Sequence, residues 1–198
     1  MKDAPTTTAA QQLLNMADHV MLMQHINFGT LSSGWPNIGL LAPGDPLKFT
    51  DTLELARLAE STLDTAHTGT GETVLVNGLP KPTVTMRPGE WQRWRLIFAA
   101  GGSSISLQLT GCSLKLIATD GVYLTSGQPQ DITSVSLNTG SRRDVLAMCP
   151  TTGAYTLSSM AVGGDTFISV GTVIHVNVSG STVNTAAPTT LPPLPRYL

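Results

Sequence analysis

The sequence predicts an all-β protein, an antiparallel Greek-key β-sandwich or barrel with one short helix in an N-terminal insertion. Three observations carry that prediction. From Thr73 onward apolar residues recur at every second position, the period of a strand with one buried face. Turn pairs interrupt the alternation at short intervals: Asn77-Gly78, Pro88-Gly89, Asp120-Gly121 and Thr139-Gly140. Roughly eight to ten short strands result, the number and spacing of a two-sheet sandwich.

In order along the chain, residues 1–18 are polar and read as a loose arm. His19 to Phe28 is a short apolar run, a buried strand. Residues 29–72 form an insertion. Its first part carries three Pro and four Gly between residues 29 and 47, which marks irregular chain. Its second part is helical between about residues 51 and 63, with Thr50 or Asp51 as cap and Leu53, Leu55, Leu58 and Leu63 near helical spacing.

Strands follow at Thr73–Val76, Thr83–Met86 and Trp91–Phe98. In the last of these Trp94, Leu96 and Phe98 share the core face, and Trp91, Arg93, Arg95 and Ile97 the other. Ile105, Leu107 and Leu109 make the next apolar face, then Leu114, Leu116 and Ala118. Ile132–Leu137 is one strand, and Val145–Met148, Tyr155–Met160 and Thr166–Val170 are weaker ones. Thr172–Val178 closes the set, with Ile174, Val176 and Val178 inward and His175 outward. One domain over residues 19–187 accommodates all of this, and the Pro-rich stretch 188–198 reads as an extended linker.

Composition narrows the function. A chain of 198 residues is long enough to bury a proper core. Charged residues are only 12% and the net charge is −2, so no basic footprint for nucleic acid or an anionic membrane exists. No apolar run approaches the ~20 residues of a membrane-spanning helix. The N-terminus lacks a signal peptide's basic start and apolar block, so either the protein stays inside the cell or its true start lies upstream. Asn177-Val178-Ser179 is an N-glycosylation sequon, a triplet common by chance.

Few residues offer chemistry. Cys112 and Cys149 read as two half-buried free thiols, with pairing as the alternative if the fold brings them together. Of the histidines, His19 and His25 lie six residues apart on one strand face, roughly 20 Å, too far for one metal ion. They are the only candidate ligands, and with Met21 and Met23 they allow a third reading, a small copper carrier. His67 sits in a Gly-rich connector. Asp120 reads as turn chemistry, its carboxylate accepting from nearby backbone N–H groups. Arg143 and Asp144 read as a structural ion pair or loop anchor. Arg93 and Arg95 beside Trp91 point to stacking, a glycan, or a salt bridge to another domain.

Five segments in order resemble the middle, plastocyanin-like (cupredoxin) domain of a laccase-like multicopper oxidase. VLVNG at 74–78 is similar to the strand and turn that open that domain's core. RPGEWQRWRLIFA at 87–99 resembles the next strand, LKLIATDG at 114–121 the hairpin after it, and GSRRDVLAM at 140–148 the Gly-x-Arg-x-Asp-Val segment before a core strand. PTTLPPLP at 188–195 resembles the linker toward a third domain. The resemblance implies a Greek-key sandwich without copper ligands of its own, since the family's His-x-His and His-Cys-His motifs lie in the first and last domains. It implies no catalytic residues in this chain, copper as cofactor of the parent enzyme only, and other cupredoxin domains as partners, joined to this chain or separate. Asn77, Gly78, Pro88, Gly89, Trp91, Arg93, Trp94, Arg95, Asp120, Gly121, Arg143 and Asp144 would be structural or domain-contact residues. The alternative reading is a free-standing β-sandwich binding or adhesion module using the Trp91/Arg93/Arg95 face.

Overall fold

The structure, a computed structural model, describes residues 8–27, 72–101, 103–161, 167–168 and 170–193. It begins with helix α1 (Thr8–Leu14) and strand β1 (Asp18–Asn27). Strands β2 (Glu72–Val76), β3 (Leu79–Pro80), β4 (Thr83–Met86), β5 (Gln92–Ala99), β6 (Ser104–Leu109), β7 (Ser113–Thr119) and β8 (Val122–Tyr123) follow. Then come β9 (Gln130–Ile132), β10 (Val135–Leu137), β11 (Arg142–Met148), β12 (Gly153–Ser159), β13 (Phe167–Ile168) and β14 (Thr172–Val178). Among the described residues they make two sheets. Sheet A has eight strands in the order β3-β2-β1-β5-β11-β7-β8, with β9 also on β7. Sheet B has six, β10-β6-β12-β14-β4, with β13 on β6.

The pleat explains the core between them. Met21 and Met23 of β1, and Trp94, Leu96 and Phe98 of β5, face Ile105, Leu107 and Leu109 of β6 and Ile174, Val176 and Val178 of β14 in one buried cluster. These are the inward positions that the alternation assigns. Burying each such side chain stabilises the fold by roughly 1.5–3 kcal/mol relative to exposure.

Four features differ from the sequence expectation. The sheets are mixed, because β1 pairs in parallel with β5, β14 with β4, and β13 with β6. Ile132–Leu137 is two strands rather than one: β9 pairs with β7 in sheet A and β10 with β6 in sheet B, so the chain changes sheets at Thr133-Ser134. Ala118 does not continue the Leu114/Leu116 face. Asp144 lies opposite Ala118 but Val145 opposite Leu116, so Ile117 is the extra residue of a β-bulge. Finally, residues 8–14, read as part of a loose arm, are helical. A seven-residue helix is too short to persist alone. Contact holds this one: Leu13 joins Trp91, Ile117, Ala118, Tyr123, Leu146 and Leu191 in a second buried cluster on the outer face of sheet A. The helix expected at 51–63 lies outside the described residues.

The turns behave as their residues require. Asn77 and Gly78 have φ of 52° and 80°, and Asp120 and Gly121 have 52° and 86°, the paired positive values of a two-residue hairpin. At Pro88-Gly89 the Glu90 amide donates to the Arg87 carbonyl (3.1 Å), and the Glu90 carboxylate accepts from the Arg87 amide (2.7 Å).

Beyond β14 the chain forms a strap from sheet B onto sheet A. The Val183 amide donates to the Pro88 carbonyl (2.8 Å), and the Thr185 hydroxyl donates to the Gly89 carbonyl (2.9 Å) while accepting from the Trp91 amide (3.0 Å). Further on, the Leu191 amide donates to the Gly127 carbonyl (2.8 Å), and Pro188, Leu191 and Pro192 are buried. Gly89 fits beneath the strap only because it has no side chain. Its φ is 75°, and a Cβ there would lie 2.1 Å from the Val183 carbonyl oxygen. Gly89→Ala is therefore expected to destabilise by roughly 2 kcal/mol through the left-handed backbone and displacement of the strap. Urea denaturation, with proteolysis after residue 180 as a second readout, checks it. An unchanged midpoint would show that the strap contributes nothing.

Cys112 and Cys149 form a disulfide joining the β6–β7 turn to the end of β11. The reading of two free thiols is thereby corrected. Spacing alone carried no sign of the pair, because it depends on where the sandwich brings the two chain segments.

Candidate functional site

Of the residues singled out by sequence, Trp91, Arg93, Arg95 and Asp144 gather on the outer face of sheet A, but their partners differ from those that adjacency suggests. Arg93 is 4% exposed, and its Nη2 donates to Asp144 Oδ2 at 2.7 Å. The same guanidinium lies 5.9 Å from the Tyr123 ring centroid and 3.4 Å from its hydroxyl. Asp144 thus pairs across strands with Arg93, not along the chain with Arg143, whose own carboxylate is Asp120 at 3.7 Å. Arg95 pairs with Asp18 at 2.7 Å and stays partly exposed. Trp91 is covered, with the Lys115 ammonium 5.8 Å from its ring. Trp94 is wholly in the core, where its indole N–H donates to the Gln92 side chain at 3.3 Å.

Two turn residues act as stitches. The Asn77 side chain accepts from the Leu22 amide (2.9 Å) and donates to the Val20 carbonyl (2.8 Å), imitating a peptide unit beside β1. Asp120 accepts from the Arg142 amide (2.8 Å), and Arg142 Nη2 donates back to the Asp120 carbonyl (3.1 Å). Asp120 therefore does the turn chemistry that its Asp-Gly context suggests, and it also ties the β7–β8 turn to β11. Asp18, Lys115, Tyr123 and Arg142 were not singled out by sequence. Each acts on a residue far along the chain, and no local signal announces that.

The described histidines do not converge, and His67 lies outside the described residues. His19 and His25 lie half-buried on the inward side of β1 with Met21 and Met23 between them, and His175 is exposed on sheet B. Among the described residues no three of His, Cys, Asp or Glu are grouped as a metal site requires. Both cysteine sulfurs are bonded to each other, so neither supplies a thiolate. Copper asks for several imidazole or thiolate ligands on one ion, and the described residues do not fit it.

Two packed mixed sheets of short strands define a cupredoxin-like β-sandwich. The profile of the multicopper oxidase family matches residues 49–179, and the chain belongs to that family. Solved structures share the fold. A variant of the McoA multicopper oxidase from Aquifex aeolicus aligns with a TM-score of 0.61 at 18% identity, covering 92% of this chain and 37% of the other. The multicopper oxidase from Campylobacter jejuni gives 0.58 and 18%, covering 94% and 34%. The laccase-like multi-copper oxidase CueO of Ochrobactrum sp. gives 0.57 and 18%, covering 89% and 34%. This chain spans about a third of the length of each structure. No curated protein sequence matches it.

Proposed function

We propose that the chain is a non-catalytic scaffold domain of a copper-dependent oxidase, holding copper-bearing cupredoxin domains in place while they couple substrate oxidation to dioxygen reduction. One observation carries the reading: in a chain of this family, the imidazoles and thiols among the described residues are spread over both sheets or tied in a disulfide. The ordered residues of the Trp/Arg strand are spent on internal bonds, which suits a spacer and not a reaction centre. A free-standing glycan-binding module draws less support, because Trp91 and Arg93 are buried and leave no open aromatic platform.

The purified chain, loaded with Cu(II) and dialysed, is expected to retain substoichiometric copper, stay colourless and leave phenolic dyes unoxidised. A blue absorbance with dye turnover would overturn the reading.

A further inference from the structure

The outer face of sheet A is divided. Among the described residues, helix α1 and the strap cover the part that carries Trp91 and Leu146. The next two rows are only partly covered. Strand register sets Val20, Arg95 and Asp144 side by side across β1, β5 and β11, and Leu22, Ile97 and Arg142 in the row beyond. Val20 is 53% exposed and Leu22 37%. A cleft of about 270 Å3 opens here, lined by Val20, Ile97, Tyr123, Arg95 and Arg142 and by the Asp144 carboxylate that pairs with Arg93. The outer face of sheet B has the opposite chemistry. Thr83, Thr85, Thr156, His175 and Asn177 line it, all polar and exposed, and such a face suits water.

We propose that the open half of sheet A's outer face is the docking surface for a companion cupredoxin domain, which places a carboxylate flanked by apolar side chains in the cleft. The proposal rests on the scaffold reading above. Charge favours such an occupant. Arg93 and Arg95 have their carboxylates within the domain, whereas the exposed Arg142 guanidinium donates only to the carbonyls of Gly140 and Asp120 among the described residues. An incoming carboxylate completes it, and Val20, Leu22 and Ile97 supply apolar area around it. Length favours the occupant too. The related oxidases are nearly three times as long as the part this chain matches.

Photocrosslinking tests the surface. The full chain, carrying p-benzoylphenylalanine in place of Leu22 or, on sheet B, of Thr156, is produced in its source cells, irradiated, and its adducts are mapped by mass spectrometry. The Leu22 position is expected to label peptides of a cupredoxin domain bearing His-x-His, and the Thr156 position is not. Arg142→Glu should lower the Leu22 yield at least about tenfold, the weight of one interface anchor, while Arg142→Lys retains it and both variants unfold cooperatively as folded domains. Labelling of such a domain from Thr156 alone would overturn the surface and leave the scaffold reading standing. Labelling of a second copy of this chain, or of no copper-binding domain from either position, would overturn both.

Discussion

Asp144→Ala is expected to destabilise the domain by about 3–5 kcal/mol, the usual effect of stripping one member from a buried ion pair. Arg93 is the reason. Its side chain is 4% exposed, and Asp144, 13% exposed, holds it at 2.7 Å. The Tyr123 ring and hydroxyl that also meet the guanidinium are uncharged and do not replace that carboxylate. A domain of this size has only about 5–15 kcal/mol in hand, so the variant should show a clearly lowered urea midpoint. Replacing both partners with apolar residues, Arg93→Met with Asp144→Leu, should cost less than Asp144→Ala alone, since no charge is then left inside. A loss under about 1 kcal/mol for the single variant would show that water reaches Arg93 and that the pair is a surface feature.

The disulfide should matter nearly as much. Cys112 and Cys149 close a loop over a sequence separation of 37. Chain-entropy arguments for a loop of that length give about 4 kcal/mol of stabilisation, mostly by restricting the unfolded chain. Cys112→Ala with Cys149→Ala, or dithiothreitol on the unaltered chain, is expected to lower stability by that order. The two treatments should agree to within about 1 kcal/mol, because the same cross-link is lost. Identical urea midpoints with and without reductant would show that the bond does not form in solution.

Much of the fold was legible because the pleat writes itself into the sequence. Trp94, Leu96 and Phe98 alternate with Arg93, Arg95 and Ile97, and the structure buries the first three together. Asn77-Gly78 and Asp120-Gly121 announced their hairpins by tolerance of positive φ. What escaped was set by tertiary contact. The bulge at Ile117 sends two successive residues outward, which a strict period of two cannot express. Helix α1 depends on seating Leu13 against Trp91 and Ile117 more than on its own propensity. At the candidate site, Arg143 and Asp144 looked like a pair because they are neighbours. A strand sends neighbours to opposite faces, and their true partners come from elsewhere: Asp120 from the β7–β8 turn and Arg93 from β5. The open half of sheet A was illegible for a related reason. An exposed Val20 or Leu22 reads as core until one knows which face the helix and strap leave bare.

The parallel pairing of β1 with β5 also sets a clock. Asp18 finds Arg93, and His19 finds Trp94, only after every residue between them has been made and β2 to β4 have been laid down. On its other side β5 needs β11, later still in the chain. Contacts so distant in sequence must close large loops before they yield any stabilisation, which puts folding in the millisecond-to-second range typical of sandwiches. Of the described strands β1 is made first and waits longest for its parallel partner, with Met21, Met23, Val20 and Leu22 uncovered on its two faces. That strand is where a nascent chain of this protein is most exposed to aggregation, and where a chaperone would gain most by holding it.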